Sequence, residues 1–155
     1  MIKIIVYYIA KSQKDLSDQL CEEFATLCGQ FGAKLEFINL FCKAISLSQK
    51  QEAEEAQKSY TKEFLKTFKP NQYRIALSPN AKMLDSFEFS KTLQNQSHLA
   101  FFIGGAYGLE KSFIQSCHMQ LSLSPLTFSH KVAKVVLSEQ IYRAFCIIYN
   151  HPYHK

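Results

Sequence analysis

"HLAFFIGGAYGLEKSFIQS", residues 98 to 116, decides how the rest of the chain is read. It opens on a short, almost unbroken apolar run that suits a strand buried on both faces, as in a parallel sheet. Gly104 and Gly105 then remove two side chains where such a strand ends, so a ligand or a second backbone can approach closely. Gly108 follows, and a helix is expected to start near Glu110 and run through "KSFIQSCHMQ". Strand, glycine turn and helix in that order make one piece of a βα alternation.

The same alternation extends in both directions. "IKIIVYYI", "KLEFINLF" and "QYRIALS" have the length and composition of further strands. Between the first two, Leu16, Leu20, Phe24, Leu27 and Phe31 fall at helical spacing, with Ser12 and Asp15 as a capping signal and Gly32 as a stop. Residues 47 to 68 place Ala53, Ala56, Tyr60, Phe64 and Phe68 along one face of a charged helix, and "SFEFSKTLQNQ" makes a shorter one. Downstream, "LSLSPL" begins as a strand and is cut short by Pro125, before a last helix from about residue 130 to Tyr149. The prediction is one α/β domain over residues 1–155, a mostly parallel sheet flanked by helices.

Composition narrows the function classes. Nearly half of the 155 residues are apolar and a fifth are charged, as in a soluble globular domain. No apolar run is long enough to span a bilayer and the start has no signal-peptide pattern, so a cytoplasmic protein is expected. Five cysteines at irregular spacing, without a CxxC pair, read as reduced thiols. His98, His118 and His130 stand apart and only His151 and His154 pair at short spacing, so no metal site is expected. The net charge of +5 is compatible with an RNA partner without being a signature of one. The last helix has one apolar face of Ala133, Val136, Leu137, Ile141, Ala144, Phe145 and Ile148. A second set, Val132, Val135, Tyr142, Cys146 and Tyr149, lies beside it. Its own sheet covers one face, and a partner subunit is expected to cover the other, in a homodimer.

In an open parallel sheet, ligands bind beyond the carboxyl ends of the strands. Three segments qualify: residues 77 to 80 after "YRIAL", Gly104–Gly105 after "LAFFI", and residues 123 to 128 after "QLSL". "GGAYG" lacks the dinucleotide spacing and there is no Walker lysine, which disfavours a nucleotide-dependent oxidoreductase. Glu110 opposes an anion at the following helix start. The third segment carries no charge before His130, and with Ser124 and Thr127 it suits a ring held by main-chain hydrogen bonds and apolar contact.

"FFIGGAYGLE", "LSLSPLTFSHKVAKVVLSEQIYRAF" and the terminal "NHPYHK" together resemble the large-subunit ribosomal RNA methyltransferase H family, small SPOUT-class enzymes. The resemblance covers essentially the whole chain. It implies a C-terminal trefoil knot, a homodimer, and S-adenosylmethionine bound by Leu77, Gly104, Leu123, Ser124, Pro125, Leu126, Thr127 and Phe128. It implies methylation of N3 of a pseudouridine in 23S ribosomal RNA within the ribosome. His130, Arg143, His151 and Tyr153 are the candidates from matched motifs, with His130, Arg143 and Tyr153 taken as catalytic: His130 for proton handling or RNA contact, Arg143 for phosphate or a developing anion, Tyr153 for stacking. Two stretches depart from the family. Ala106–Tyr107 stand where Pro and Glu are more frequent, and "ALSPNAK" replaces a more acidic stretch while keeping Leu77 and Lys82. An alternative is a non-catalytic ribosome-associated RNA-binding or assembly factor of the same fold.

Overall fold

The computed structural model describes every residue except Ser12, so the expected Ser12 cap lies outside the described residues. Five strands form a single sheet: β1 (Ile2–Tyr8), β2 (Ala33–Asn39), β3 (Tyr73–Leu77), β4 (His98–Phe102) and β5 (Met119–Leu121). Their spatial order is β2-β1-β4-β3-β5 and every pairing is parallel. Among the described residues five helices connect them, α1 (Leu16–Gly29), α2 (Lys43–Ser48), α3 (Ala53–Leu65), α4 (Ser86–Gln94) and α5 (Lys111–Ser116), and α6 (His130–Ile148) follows the last strand.

The apolar runs of β1 and β4 follow from burial on both faces. Ile4, Val6, Leu99 and Phe101 point into a core shared with α1, α4 and α6. Their neighbours Ile5, Tyr7, Ala100 and Phe102 point into a second core with α2, α3 and α5. Since successive side chains alternate across a strand, neither face tolerates a polar residue. In the second core, Phe64, Phe102 and Phe113 meet at centroid distances of 5.1 to 5.3 Å. Such pairs contribute about 0.5–1.5 kcal/mol each beyond area burial.

Three local expectations are corrected by tertiary structure. Residues 47 to 68 form no single helix: α2 ends at Ser48 and α3 begins at Ala53, with Glu52 as its N-cap. The predicted core stripe of α1 is kept in part: Phe24 and Phe31 pack against the core, but Cys21 and Cys28 are buried while Leu16, Leu20 and Leu27 are exposed. Small side chains on that face let α1 lie close to the sheet and α6, which leaves the leucines outside. The helix start is fixed by Asp15, whose carboxylate accepts from Ser17 N at 2.9 Å, and by Asp18, which accepts from Asp15 N at 2.9 Å. Finally, α5 stops at Ser116, and Met119–Leu121, split between the expected helix and "LSLSPL", pair with β3. A parallel ladder outweighs the short helical pattern there, and beyond Leu121 only an isolated bridge between Ser122 and Met83 continues the pairing.

Along α6 the two predicted faces are partly satisfied within the chain. Leu137, Ile141, Tyr142, Phe145 and Cys146 are buried, whereas Val132 and Tyr149 are about half exposed. Among the described residues no helix is long and apolar enough to cross a membrane.

Candidate functional site: a neutral cavity at three strand exits

The strand order sets β4, β3 and β5 side by side, so the loops leaving their carboxyl ends emerge together. Between them lies a cavity of about 480 Å³, within the usual range for a small-molecule site. Leu77 and Pro79 line it from the β3 exit, Gly104 from the β4 exit, and Leu123, Ser124, Leu126, Thr127 and Phe128 from the β5 exit. His130 and Ala133 close it from the first turn of α6. Pro125 belongs to the same loop but does not line the cavity. No Lys, Arg, Asp or Glu contributes to its wall.

The loops hold one another in place. Ser78 N donates to Leu121 O at 3.0 Å, and Ser122 N donates to Lys82 O at 2.9 Å. The Ser122 hydroxyl, buried, lies 3.1 Å from Pro79 O and 3.0 Å from Ser124 O, while Leu126 N donates to Ser124 Oγ at 3.0 Å. A run of Ser, Leu and Pro without charge therefore ties several of its polar groups to its own and neighbouring loops, beside the apolar helix that follows. On the β4 side, a Cβ at Gly104 would lie 2.7 Å from the Gly108 carbonyl carbon, and Gly108 has φ +74°. Both glycines are thus required by the turn itself.

His130 stands between two chambers. It also lines a smaller cavity of about 170 Å³ with Tyr8, Lys14, Asp18, Asn39, Lys131 and Lys134. Its ring lies nearly parallel to Tyr8, with centroids 6.5 Å apart. Lys134, only 2 % exposed, places Nζ 2.6 Å from Asp18 Oδ1 and 3.9 Å from the centre of the Tyr8 ring. Lys131 pairs with Asp15. Burial, followed by the charges of Lys134 and Lys131, holds His130 below the usual histidine pKa, so the imidazole is neutral at neutral pH. Burial tends to raise the Asp18 carboxyl, but its bonds to Lys134 and Asp15 N outweigh this and hold it low.

Arg143 and Tyr153 lie elsewhere, near the other end of α6. Arg143 Nη2 is 2.5 Å from Glu139 Oε1, and Tyr153 donates its hydroxyl to the same oxygen at 3.0 Å. The guanidinium lies over the Tyr153 ring at 4.8 Å and contacts His154 Nδ1 at 3.2 Å. His154 meets Phe87 edge-on at 4.9 Å, and His151 N donates to Cys146 O at 2.8 Å. The tail is thus folded onto α4 and α6, but it does not reach the cavity of its own chain. Among the described residues no cluster of three His, Cys, Asp or Glu side chains is placed to hold a metal.

Residues 2–154 match the family model described as "Predicted SPOUT methyltransferase". The chain belongs to the SPOUT methyltransferase family. It is 49% identical over 155 residues to "Ribosomal RNA large subunit methyltransferase H" of Wolinella succinogenes, covering 99% of this chain and 100% of the relative. Proteins of the same name from Nitratiruptor sp. and Helicobacter pylori strain G27 are 47% and 48% identical, each over the full length of both chains. A solved Haemophilus influenzae protein, "a probable methylase family protein", shares the fold with a TM-score of 0.52 at 15% identity. The alignment covers 99% of this chain and 70% of that one. Within this SPOUT chain, sequence reasoning had located Leu77, Gly104 and the residue 123–128 loop, but not Ile103, Ser129 or Ala133 as wall residues. Ala133 follows His130 by one helical turn, which is the signal that places it.

Proposed function

We propose that this chain is an S-adenosylmethionine-dependent methyltransferase that acts on N3 of a pseudouridine in 23S ribosomal RNA within the ribosome. It works as a cytoplasmic homodimer whose C-terminal part forms a trefoil knot. The observation that carries the reading is the convergence of three strand exits on one uncharged cavity. A sulfonium nucleoside fits such a wall: hydroxyls at Ser78, Ser124 and Thr127 and loop main chain line it, and Gly104 and Gly105 present main chain there, with their side-chain positions taken by Gly108 main chain and the Tyr60 ring. The names borne by the full-length relatives supply the ribosomal substrate.

When bound, S-adenosylmethionine supplies an electrophilic methyl group on a positively charged sulfur. Leu77, Gly104, Leu123, Ser124, Leu126, Thr127 and Phe128 hold it, with Pro125 shaping the loop. His130, neutral and at the cavity edge, accepts the imide proton from the acceptor base at a ring nitrogen. Arg143 and Tyr153 of a second copy complete the site, the guanidinium on phosphate or the imide anion and the phenol ring against a base.

Calorimetry with S-adenosylmethionine tests the cofactor, with one equivalent expected per chain; a folded protein that binds none ends the proposal. Ribosomes incubated with protein and cofactor are then expected to yield a singly methylated pseudouridine by nucleoside mass spectrometry. A second reading, an assembly factor of the same fold, is favoured by the absence of any carboxylate from the cavity wall. Ribosome binding without modification would select it.

A further inference from the structure

The turn at residues 104 to 108 is fastened to the corner between α2 and α3. Gln57 Nε2, on α3, donates to the Tyr107 carbonyl oxygen at 2.8 Å. The Tyr107 hydroxyl donates to Gln49 O, just past the end of α2, at 3.4 Å. The Gln49 side-chain amide donates to the Tyr60 hydroxyl at 2.7 Å, and a Cβ at Gly105 would lie 2.6 Å from the Tyr60 ring. The contacts run in a closed circuit from the turn through Tyr107, Gln49 and Tyr60 back to the turn. Gly104, Gly105, Ala106 and Gly108 line the cavity, whereas Gln49, Gln57, Tyr60 and Tyr107 do not.

A turn with glycine at positions 104, 105 and 108 and no proline has wide freedom in the absence of outside restraint. Any such freedom has to be given up when a ligand is seated against it, which lowers affinity. Resting on the reading of this cavity as a cofactor site, we infer that Gln57 and Tyr107 are positioning residues: they clamp the glycine turn into its ligand-ready shape without touching the ligand. Gln57 is the principal one, since its bond is the shorter and goes to main chain. The Tyr107 ring reaches across to α2, so the clamp spans both helices of the corner.

Gln57→Glu keeps the shape of the side chain and replaces the donor by a carboxylate facing a carbonyl. On a half-buried helical surface this leaves the fold intact. Gln57→Lys restores an N–H donor, and Tyr107→Phe removes only the hydroxyl. Two readouts are combined: amide hydrogen exchange at residues 105 to 108 in cofactor-free protein, and S-adenosylmethionine affinity by calorimetry. For Gln57→Glu the turn amides exchange faster and affinity falls about tenfold, equivalent to ~1.4 kcal/mol. KM for the cofactor rises, kcat stays within about twofold and the melting temperature moves by only a few degrees. Gln57→Lys stays within about threefold of wild type, and Tyr107→Phe falls between the two. Unchanged exchange and affinity in Gln57→Glu overturn the clamp, as does a Gln57→Lys variant as impaired as Gln57→Glu. If the wild type binds no cofactor, the functional reading fails, while the exchange data on the free protein still decide the clamp.

Discussion

At its first residue, α6 sets His130 against a cavity with no charged wall. About 20 Å further along the same helix, Arg143 sits in a cluster of charge and aromatic rings that does not line that cavity. On the proposed reading the first end holds a ligand by backbone and shape, and several polar groups of its loops are bonded to one another. The second end has what a polyanion requires, but Glu139 neutralises its arginine within the chain. On the proposed reading, methyl transfer to RNA uses both sets of groups; one chain holds them apart, and the proposed homodimer would join them.

The largest expected effect comes from Arg143→Ala, which lowers methyl transfer roughly 10³-fold while cofactor affinity stays at the wild-type value. Mixing that variant with His130→Ala, each strongly impaired alone, restores about a quarter of wild-type activity if the two ends meet across a dimer. A parallel loss of cofactor affinity in Arg143→Ala would break the division between the ends.

His130→Ala costs about 10²-fold in rate. In the wild type, the rate falls on acidification with a midpoint below the ordinary histidine value, because burial and then Lys134 and Lys131 depress this pKa. The same sign applies to stability. The unfolded histidine binds a proton before the folded one, so stability present above about pH 6.5 is lost as pH falls through the folded pKa. His98 and His118, also lowered chiefly by burial, add to that loss. Melting temperatures at pH 7.5 and 5.5 check the direction.

Gly104→Ala sharpens the account of the cavity. Its Cβ would meet Gly108 main chain, which must move at a cost of about 1–3 kcal/mol, and cofactor affinity drops roughly 10- to 100-fold. Lys134→Met tests the support behind His130. With a side chain only 3% exposed and paired to Asp18, its loss destabilises by about 2–3 kcal/mol in denaturant unfolding. Lys14→Ala, at 82% exposure and paired with Glu22, changes stability by less than ~0.5 kcal/mol.

Much of the β4 exit was legible because glycine has one strong reason to stand at a strand end, and Gly104 and Gly108 meet it by close approach and positive φ. The uncharged loop before α6 was legible for a similar reason, since a charged wall would have been incompatible with it. The α1 stripe was legible only at Phe24 and Phe31, which pack on the core. Leu16, Leu20 and Leu27 keep helical spacing but face outward, because the tight approach of α1 to α6 selects Cys21 and Cys28 instead. Periodicity reports that a helix has an apolar side without reporting which neighbour covers it. A strand was expected at "LSLSPL", but it lies earlier, at Met119–Leu121, because three residues carry almost no period and pairing with β3 sets the bounds. Tyr107 stood out only as a departure; its bond to α2, and the Gln57 bond beside it, link residues about 50 positions apart in the chain.

The amino-acid sequence by itself determined the alternation of strands and helices, the glycine turn, and the neutrality of the loop ahead of α6. Each is a short-range property, fixed by side-chain volume, charge and backbone freedom over a few neighbouring residues. Tertiary structure alone decided that β4 inserts between β1 and β3, that three exits share one cavity, and that His130 and Arg143 face different surroundings. These depend on which distant segments pack together, where the free energy of burial is summed over the whole core and no local pattern records the outcome.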